Sequence, residues 1–175
     1  NTLISSNTIM GLQAKKPLRR STKGVIYYEK PIKEVLYILT VDVSKGRGQD
    51  YSTFNVIKVT DDGYFQVATF RDNIISPLIL PDIVMSLVIV ESNDVGQVVC
   101  NAIYYEYEYE NMFVESTVKS AGVGVTMTKK IKRIGCSHLK DLIEMNKLNI
   151  VDADTISELS TFEVRGSSYQ ASQGN

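Results

Sequence analysis

An α/β fold built on a mixed sheet, three antiparallel strands followed by parallel ones with helices at its flanks, is what the sequence predicts. Three observations carry it. Val35–Val43 is an unbroken apolar, β-rich run of the kind that forms a central strand. Thr53–Thr60 and Tyr64–Phe70 are two further strand patterns joined by Asp61-Asp62-Gly63, a strong hairpin signal. Beyond them, segments of helical period alternate with short apolar runs, the order that gives parallel neighbours.

Residues 1–34 are polar, basic and punctuated by proline, and are expected to form an arm or interdomain linker before a core spanning 35–175. In the third strand Phe65, Val67 and Thr69 share one face by simple alternation. Pro77 to Ser86 has a helical pattern. A crossover to a parallel strand needs roughly a dozen residues or more, and the stretch from Ile74 barely supplies them, so chain could be missing near Met85–Leu87. Leu87–Glu91 is the fourth strand. Asp94 to about Tyr109 fits an amphipathic helix along Val95, Val98, Val99, Ala102, Tyr105 and Tyr109, with Ser92, Asn93 or Asp94 available as its cap. Phe113–Glu115 is expected to be a short fifth strand. A helix follows over about Lys129–Lys147, buried along Ile131, Ile134, Leu139, Leu142 and Ile143, and the stretch from Ile156 to Gly166 alternates weakly as a closing strand or hairpin. This is the order of a ribonuclease H-like domain with a five-stranded mixed sheet. In that layout the first and fourth strands lie side by side.

That adjacency matters because each of the two strands ends in an acid. Asp42 lies within the first apolar run, which then opens into the Gly-rich turn Ser44-Lys45-Gly46-Arg47-Gly48-Gln49-Asp50, and the run Leu87-Val88-Ile89-Val90 ends in Glu91. A charge in a buried strand is costly unless it is paired. Two carboxylates converging at a sheet edge suit a hard divalent cation, and cations held by acids perform phosphoryl chemistry, so a nuclease is expected. The plain alternative for Asp42 is a strand-end carboxylate satisfied by backbone donors of the turn. Asp94 reads as a helix cap, and His138, the one histidine, as a packed or surface residue.

Charge is nearly balanced, with 19 basic against 20 acidic residues, so the bulk electrostatics name no partner. Its distribution is more informative. Lys45 and Arg47 sit beside Asp42, and Lys129, Lys130, Lys132 and Arg133 form a late cluster; both groups are candidates for DNA phosphates, with a solvated helix face as the alternative for the second. Cys100 and Cys136 have neither zinc-ligand spacing nor the density of a disulfide scaffold. No apolar run nears the roughly 20 residues that span a bilayer, and no signal peptide pattern is present, so an intracellular protein without a membrane partner is expected. Asn1 is not an initiating methionine, consistent with a fragment or processed chain.

Val41–Ser52 and Val88–Asp94 resemble the nuclease domain of large terminase subunits, the DNA-packaging motors of tailed bacteriophages, most closely the myovirus type. Lys132–Ser137 and Gly166–Ser172 extend the resemblance, which covers about Val35 to Asn175. It implies a metal-dependent endonuclease that cuts concatemeric viral DNA into genome lengths, using Mg²⁺ or Mn²⁺, two ions in the usual arrangement. Asp42 and Glu91 would be catalytic and metal-binding, Asp50 a further acid at the metal, and a third catalytic Asp would follow Asn175. The implied partners are double-stranded DNA, the ATPase domain of the parent chain, the portal and the small subunit, in the host cytoplasm at the procapsid portal. No Gly-x-x-x-x-Gly-Lys-Ser/Thr loop is present, so this piece lacks a packaging ATPase. A resolvase or transposase-type nuclease of the same fold, or a catalytically silent DNA-binding or docking module, are the competing readings.

Overall fold

The computed structural model of the protein describes residues 2–77, 87–116, 121–166 and 168–171. A short helix α1 (Ser6–Gly11) and two brief strands, β1 (Arg19–Arg20) and β2 (Ile26–Tyr27), precede the antiparallel meander of β3 (Leu36–Asp42), β4 (Ser52–Thr60) and β5 (Gly63–Asp72). Strand β6 (Leu87–Val90), helix α2 (Gly96–Asn101) and a π-helical turn (Ala102–Glu106) follow. Then come β7 (Val114–Ser116), β8 (Ala121–Val123), α3 (Lys129–Glu144), β9 (Leu148–Asn149), α4 (Ala153–Thr161), β10 (Phe162–Arg165) and β11 (Ser168–Ala171). Among the described residues the main sheet runs β1-β2-β5-β4-β3-β6, with β9 beside β5. β3 is antiparallel to β4 and parallel to β6, the arrangement of a ribonuclease H-like fold. No described helix is long and apolar enough to cross a membrane.

The sheet separates two cores. Leu39, Val41, Phe54, Ala68, Phe70 and Val90 pack on one face with Val99, Cys100 and Ile103 from α2 and the π-helical turn. The opposite face carries Leu3, Ile4, Ile143, Leu148 and Ile150, flanked by Leu139, Leu142, Ile156 and Leu159 of α3 and α4. Helices thus cover both faces, as burial of a mixed sheet requires.

Several elements depart from the pattern read in sequence. The segment 1–34, expected to form an arm, contributes the buried side chains of Leu3, Ile4 and Val25 and a strand paired to β5. The sheet is therefore wider than five strands. A register shift between Val56 and Ile57 breaks simple alternation on β5: Ala68 and Phe70 face the first core, while Gln66 and Thr69 bond on the other side to Asp152. The predicted helix of 94–109 begins only at Gly96 and ends by Glu106, bounded by left-handed Asp94 (φ 51°) and Glu108 (φ 50°). None of its expected caps is used. Asn93 instead bonds both the backbone N–H and carbonyl of Met127. The predicted fifth strand pairs with β8 in a separate ribbon, and Val125 beyond it bridges in parallel to Glu91. On α3, Ile143 is buried as expected but Ile134 is exposed. The weakly alternating stretch from Ile156 starts as helix α4, and only 162–171 forms the hairpin. The helical pattern of Pro77–Ser86 and the Met85–Leu87 junction lie, beyond Pro77 and Leu87 themselves, outside the described residues.

A polar staple joins these parts. The Gln66 amide accepts from the backbone N–H groups of Val151 (2.9 Å) and Asp152 (2.8 Å) and donates to Asn55 Oδ1 (2.7 Å). Asp152 caps α4 through Thr155 N (2.8 Å) and Thr155 Oγ1 (2.7 Å), and accepts from the Tyr28 hydroxyl. Burial pushes the Asp152 carboxyl up, but the bonds from Tyr28, Thr155 and Thr69 outweigh it and hold it below the usual carboxylate range. Burial, then the bond to Asp152, pushes the Tyr28 hydroxyl well up. Asp152→Ala is therefore expected to lower unfolding free energy by about 2–3 kcal/mol in urea titrations. The wild-type contribution is complete above the unfolded carboxylate value of about 3.9 and fades as pH falls through the lower folded value; that of Tyr28 is complete below about 10 and fades as pH rises through its higher folded value.

Candidate active site

One row of the sheet sets the site. Val41 is the register partner of Val90 on β6 and of Phe54 on β4, and Phe54 is the partner of Phe70 on β5. All four are at most 4 % exposed and belong to the first core. Side chains alternate along a strand, so the next row, Glu91, Asp42, Thr53 and Arg71, faces the other way, toward α3 and α4. The pairing of Asp42 with Thr53 and of Thr53 with Arg71 is in register, and the Glu91 N–H donates to the Val41 carbonyl at 3.0 Å, which sets Glu91 beside Asp42.

The electrostatics follow from that adjacency. Asp42 opens to solvent on one side but is crowded at the strand end. Desolvation raises its carboxyl above the ordinary range, with the Asp50 charge adding and a Val43 backbone hydrogen bond and Lys132 opposing. Glu91 is raised by desolvation and by the Asp42 charge, again opposed by Lys132. Two carboxylates of raised proton affinity, with hard oxygen donors side by side, fit a divalent cation. Among the described residues no group of three or more His, Cys, Asp or Glu side chains is set to hold a metal. Asp50 is close enough to bias Asp42 but does not complete such a set, and the third acid that the resemblance implies would follow Asn175.

The Gly-rich turn is pinned at both ends. Ser44 and Ser52 are buried against each other at its mouth (Oγ to Oγ 3.2 Å), and the Ser44 N–H donates to Ser52 Oγ at 3.0 Å. At its tip, Gly46 has φ 63° and a Cβ there would stand 2.4 Å from the Ile75 carbonyl oxygen, so the turn lies on the exit of β5 at a distance only glycine permits. Gly48 N donates to the Asn73 carbonyl at 2.8 Å. The turn forms one wall of a groove of about 1090 Å³ whose other wall is α4, with Asp42 on its floor.

Of the expected phosphate-binding residues, Lys45 and Arg47 line this groove, Lys45 paired with Asp94 at 2.9 Å. Lys132 lies on α3 within electrostatic reach of both carboxylates. Lys129, Lys130 and Arg133 are exposed on the first turns of α3 and do not line the groove. His138 is exposed on the same helix. Sequence reasoning missed the α4 wall, with Asp154 and Glu158, and also Arg71, which pairs with Glu158 at 3.1 Å and lies over the Tyr51 ring at 4.0 Å. The signal for α4 was present in Asp152-Ala153-Asp154-Thr155, a cap followed by an acid in the first turn, and in the spacing of Ile156 and Leu159.

Residues 39–167 match the family described as Terminase RNaseH-like domain. Crystal structures of the large terminase nuclease from the thermophilic phage G20c share the fold. One superposes with a TM-score of 0.69 at 19 % identity, covering 99 % of this chain and 90 % of that one. The same nuclease with bound magnesium gives 0.74 at 18 % identity over 99 % and 90 % of the two chains. With bound cobalt it gives 0.76 at 16 % identity over 100 % and 90 %. With the family's match running from β3 through β10, the chain belongs to the terminase RNaseH-like domain family.

Proposed function

We infer that this chain is a divalent-metal-dependent DNA endonuclease domain of a viral genome-packaging terminase, cutting concatemeric DNA into genome lengths. The observation that carries the reading is the placement of Asp42 and Glu91 side by side at the ends of neighbouring parallel strands, with Asp42 lining an open groove, in a member of the terminase family. Magnesium and cobalt in the related phage nuclease support the metal dependence. Asp42 and Glu91 would hold Mg²⁺ or Mn²⁺, with Asp50 nearby; two such ions, when bound, activate a water and steady the leaving oxygen.

The remaining work falls to the chain. Asp42 and Glu91 would bind the cation as carboxylates, and their raised proton affinity lets protons compete with the cation for them over a higher pH range than at isolated acids. Lys132 opposes that protonation. Lys45 and Arg47 present cations on the turn beside Asp42, suited to backbone phosphate. Lys129, Lys130, Lys132 and Arg133 occupy the start of α3, where the helix dipole disfavours positive charge; a polyanion laid across this end would relieve that repulsion and add affinity without sequence readout. Double-stranded DNA is the substrate in this reading. The ATPase domain, portal and small subunit are the assembly partners, at the procapsid in the host cytoplasm.

Cleavage of supercoiled plasmid tests the reading. Nicking and linearisation are expected with Mg²⁺ or Mn²⁺ and not with EDTA. Asp42→Asn or Glu91→Gln is expected to reduce cleavage by more than about a hundredfold, the scale already reached when groups behind a metal ligand are lost, while DNA binding persists. Unchanged cleavage by either variant would refute the site, and binding without any metal-dependent cleavage would leave a DNA-binding module. Because both carboxylates are raised in the metal-free protein, cleavage at subsaturating Mg²⁺ should increase with pH through a range above that of ordinary acids as protons leave the metal-binding carboxylates, checked as the pH profile of the initial rate. Replacing Lys129, Lys130 and Arg133 by Ala should lower the slope of log affinity against log salt by up to about 3; an unaltered slope in salt titrations would return them to a solvated helix face.

A further inference from the structure

Arg71 belongs to the row of Asp42 but has no part in the mechanism above. It is the register partner of Thr53, which is the partner of Asp42, so two strand spacings of about 4.8 Å separate it from the candidate catalytic acid. Its guanidinium lies 4.0 Å over the centre of the Tyr51 ring, and Nη1 is 3.1 Å from Glu158 Oε1 on α4. All four of Asp42, Tyr51, Arg71 and Glu158 line the same groove. A guanidinium stacked on an aromatic ring is confined to a plane, so its donors point in a set direction before any ligand arrives. The group that meets them here is a carboxylate, which has the charge and the forked oxygens of a phosphate. It is also easily replaced: the Glu158 side chain is 62 % exposed and that of Arg71 37 %, and ion pairs this open contribute little in water.

We propose that Arg71 is a positioning residue that takes a DNA phosphate flanking the cut, with Tyr51 orienting its guanidinium and Glu158 serving as the resting anion that the phosphate displaces. The proposal deepens the nuclease reading and rests on it. Because the guanidinium is held over Tyr51 and against α4, its ligand is a neighbour of the phosphate cut at Asp42. A strand held at both points cannot slide along the groove, so Arg71 fixes which bond meets the carboxylates.

The test is binding of a short fluorescent DNA duplex by the chain carrying Asp42→Asn, in Mg²⁺ and across a salt series, so that affinity is read without cleavage. Arg71→Ala is expected to weaken binding about tenfold and to lower the log–log salt slope by about 1. Arg71→Lys should restore the slope but only part of the affinity, since an ammonium neither stacks nor forks; it also carries the test if circular dichroism shows the alanine variant unfolded. Glu158→Gln should tighten binding by up to about fivefold, and that gain should vanish when Arg71 is also Ala. In the otherwise native enzyme, Arg71→Ala should raise KM for DNA more than it lowers kcat. Unchanged affinity and slope in the Arg71 variants would overturn the proposal. An equal gain from Glu158→Gln with and without Arg71 would also overturn it, because Glu158 would then merely repel DNA. Failure of the nuclease reading is separate: it shows as absence of metal-dependent cleavage by the native chain, whatever the binding series reads.

Discussion

Two adjacent rows of the sheet carry opposite chemistry, and the pairing register of β3 with β4 and β6 keeps them apart. Val90, Val41, Phe54 and Phe70 fill the core beneath α2 and the π-helical turn, with Phe54 and Phe70 stacked at 5.0 Å between ring centres. One residue further along β3, Asp42 shares its row with Glu91, Thr53 and Arg71 on the other face. Because side chains alternate with period two, a slip of β3 by one residue would turn Asp42 toward the core and take Leu39 and Val41 out of it. The cost of either exchange is what makes the site geometry inseparable from the fold. Asp42 and Glu91 are thus held near each other by apolar burial behind them, with their mutual repulsion offset in part by Lys132.

Around that row, polar interactions decide where the groove walls stand. The Ser44–Ser52 contact closes the mouth of the turn, and the close approach of Gly46 to the Ile75 carbonyl lays its tip on the β5 exit. The far wall is placed by Asp152 and Gln66, which tie the start of α4 to the middle of the sheet and to Tyr28 from the first part of the chain. Buried networks of this kind are useful only when fully satisfied, and among the described residues no buried side-chain N or O atom lacks a hydrogen-bond partner. The same contact makes residues 2–28 part of the framework that carries α4, and through α4 part of the groove.

Much of this was legible in the residues. The meander, the parallel neighbour and the convergence of Asp42 with Glu91 followed from a continuous apolar run, an Asp-Gly turn and a second run ending in an acid. Those signals are local, and local periodicity survives into the fold. Helix α3 was readable for the same reason, with the exception of Ile134, whose apolar character could not reveal that it is exposed among the described residues. The start of α4 was obscured because the alternation of Phe162 and Val164 invites a strand reading of the whole stretch, whereas Ile156 and Leu159 are spaced as on a helix and Asp152 supplies its cap.

By itself, then, the sequence determined the meander, its parallel neighbour, helix α3, the two acids and the Gly-rich turn between strands, because propensity and binary pattern act over a few neighbouring residues. Tertiary structure alone decided that β2 and β9 share an edge of β5, that the bulge at Val56/Ile57 turns Gln66 and Thr69 toward Asp152, and that Arg71 stands in the row of Asp42 facing Glu158. These depend on contacts between residues tens of positions apart, whose free energies arise only when separate surfaces are brought together and water is expelled between them. Charge shows the division most plainly. Arg71 and Glu158 are ordinary exposed residues in the chain, and it takes the sheet and α4 together to make them the rim of one groove.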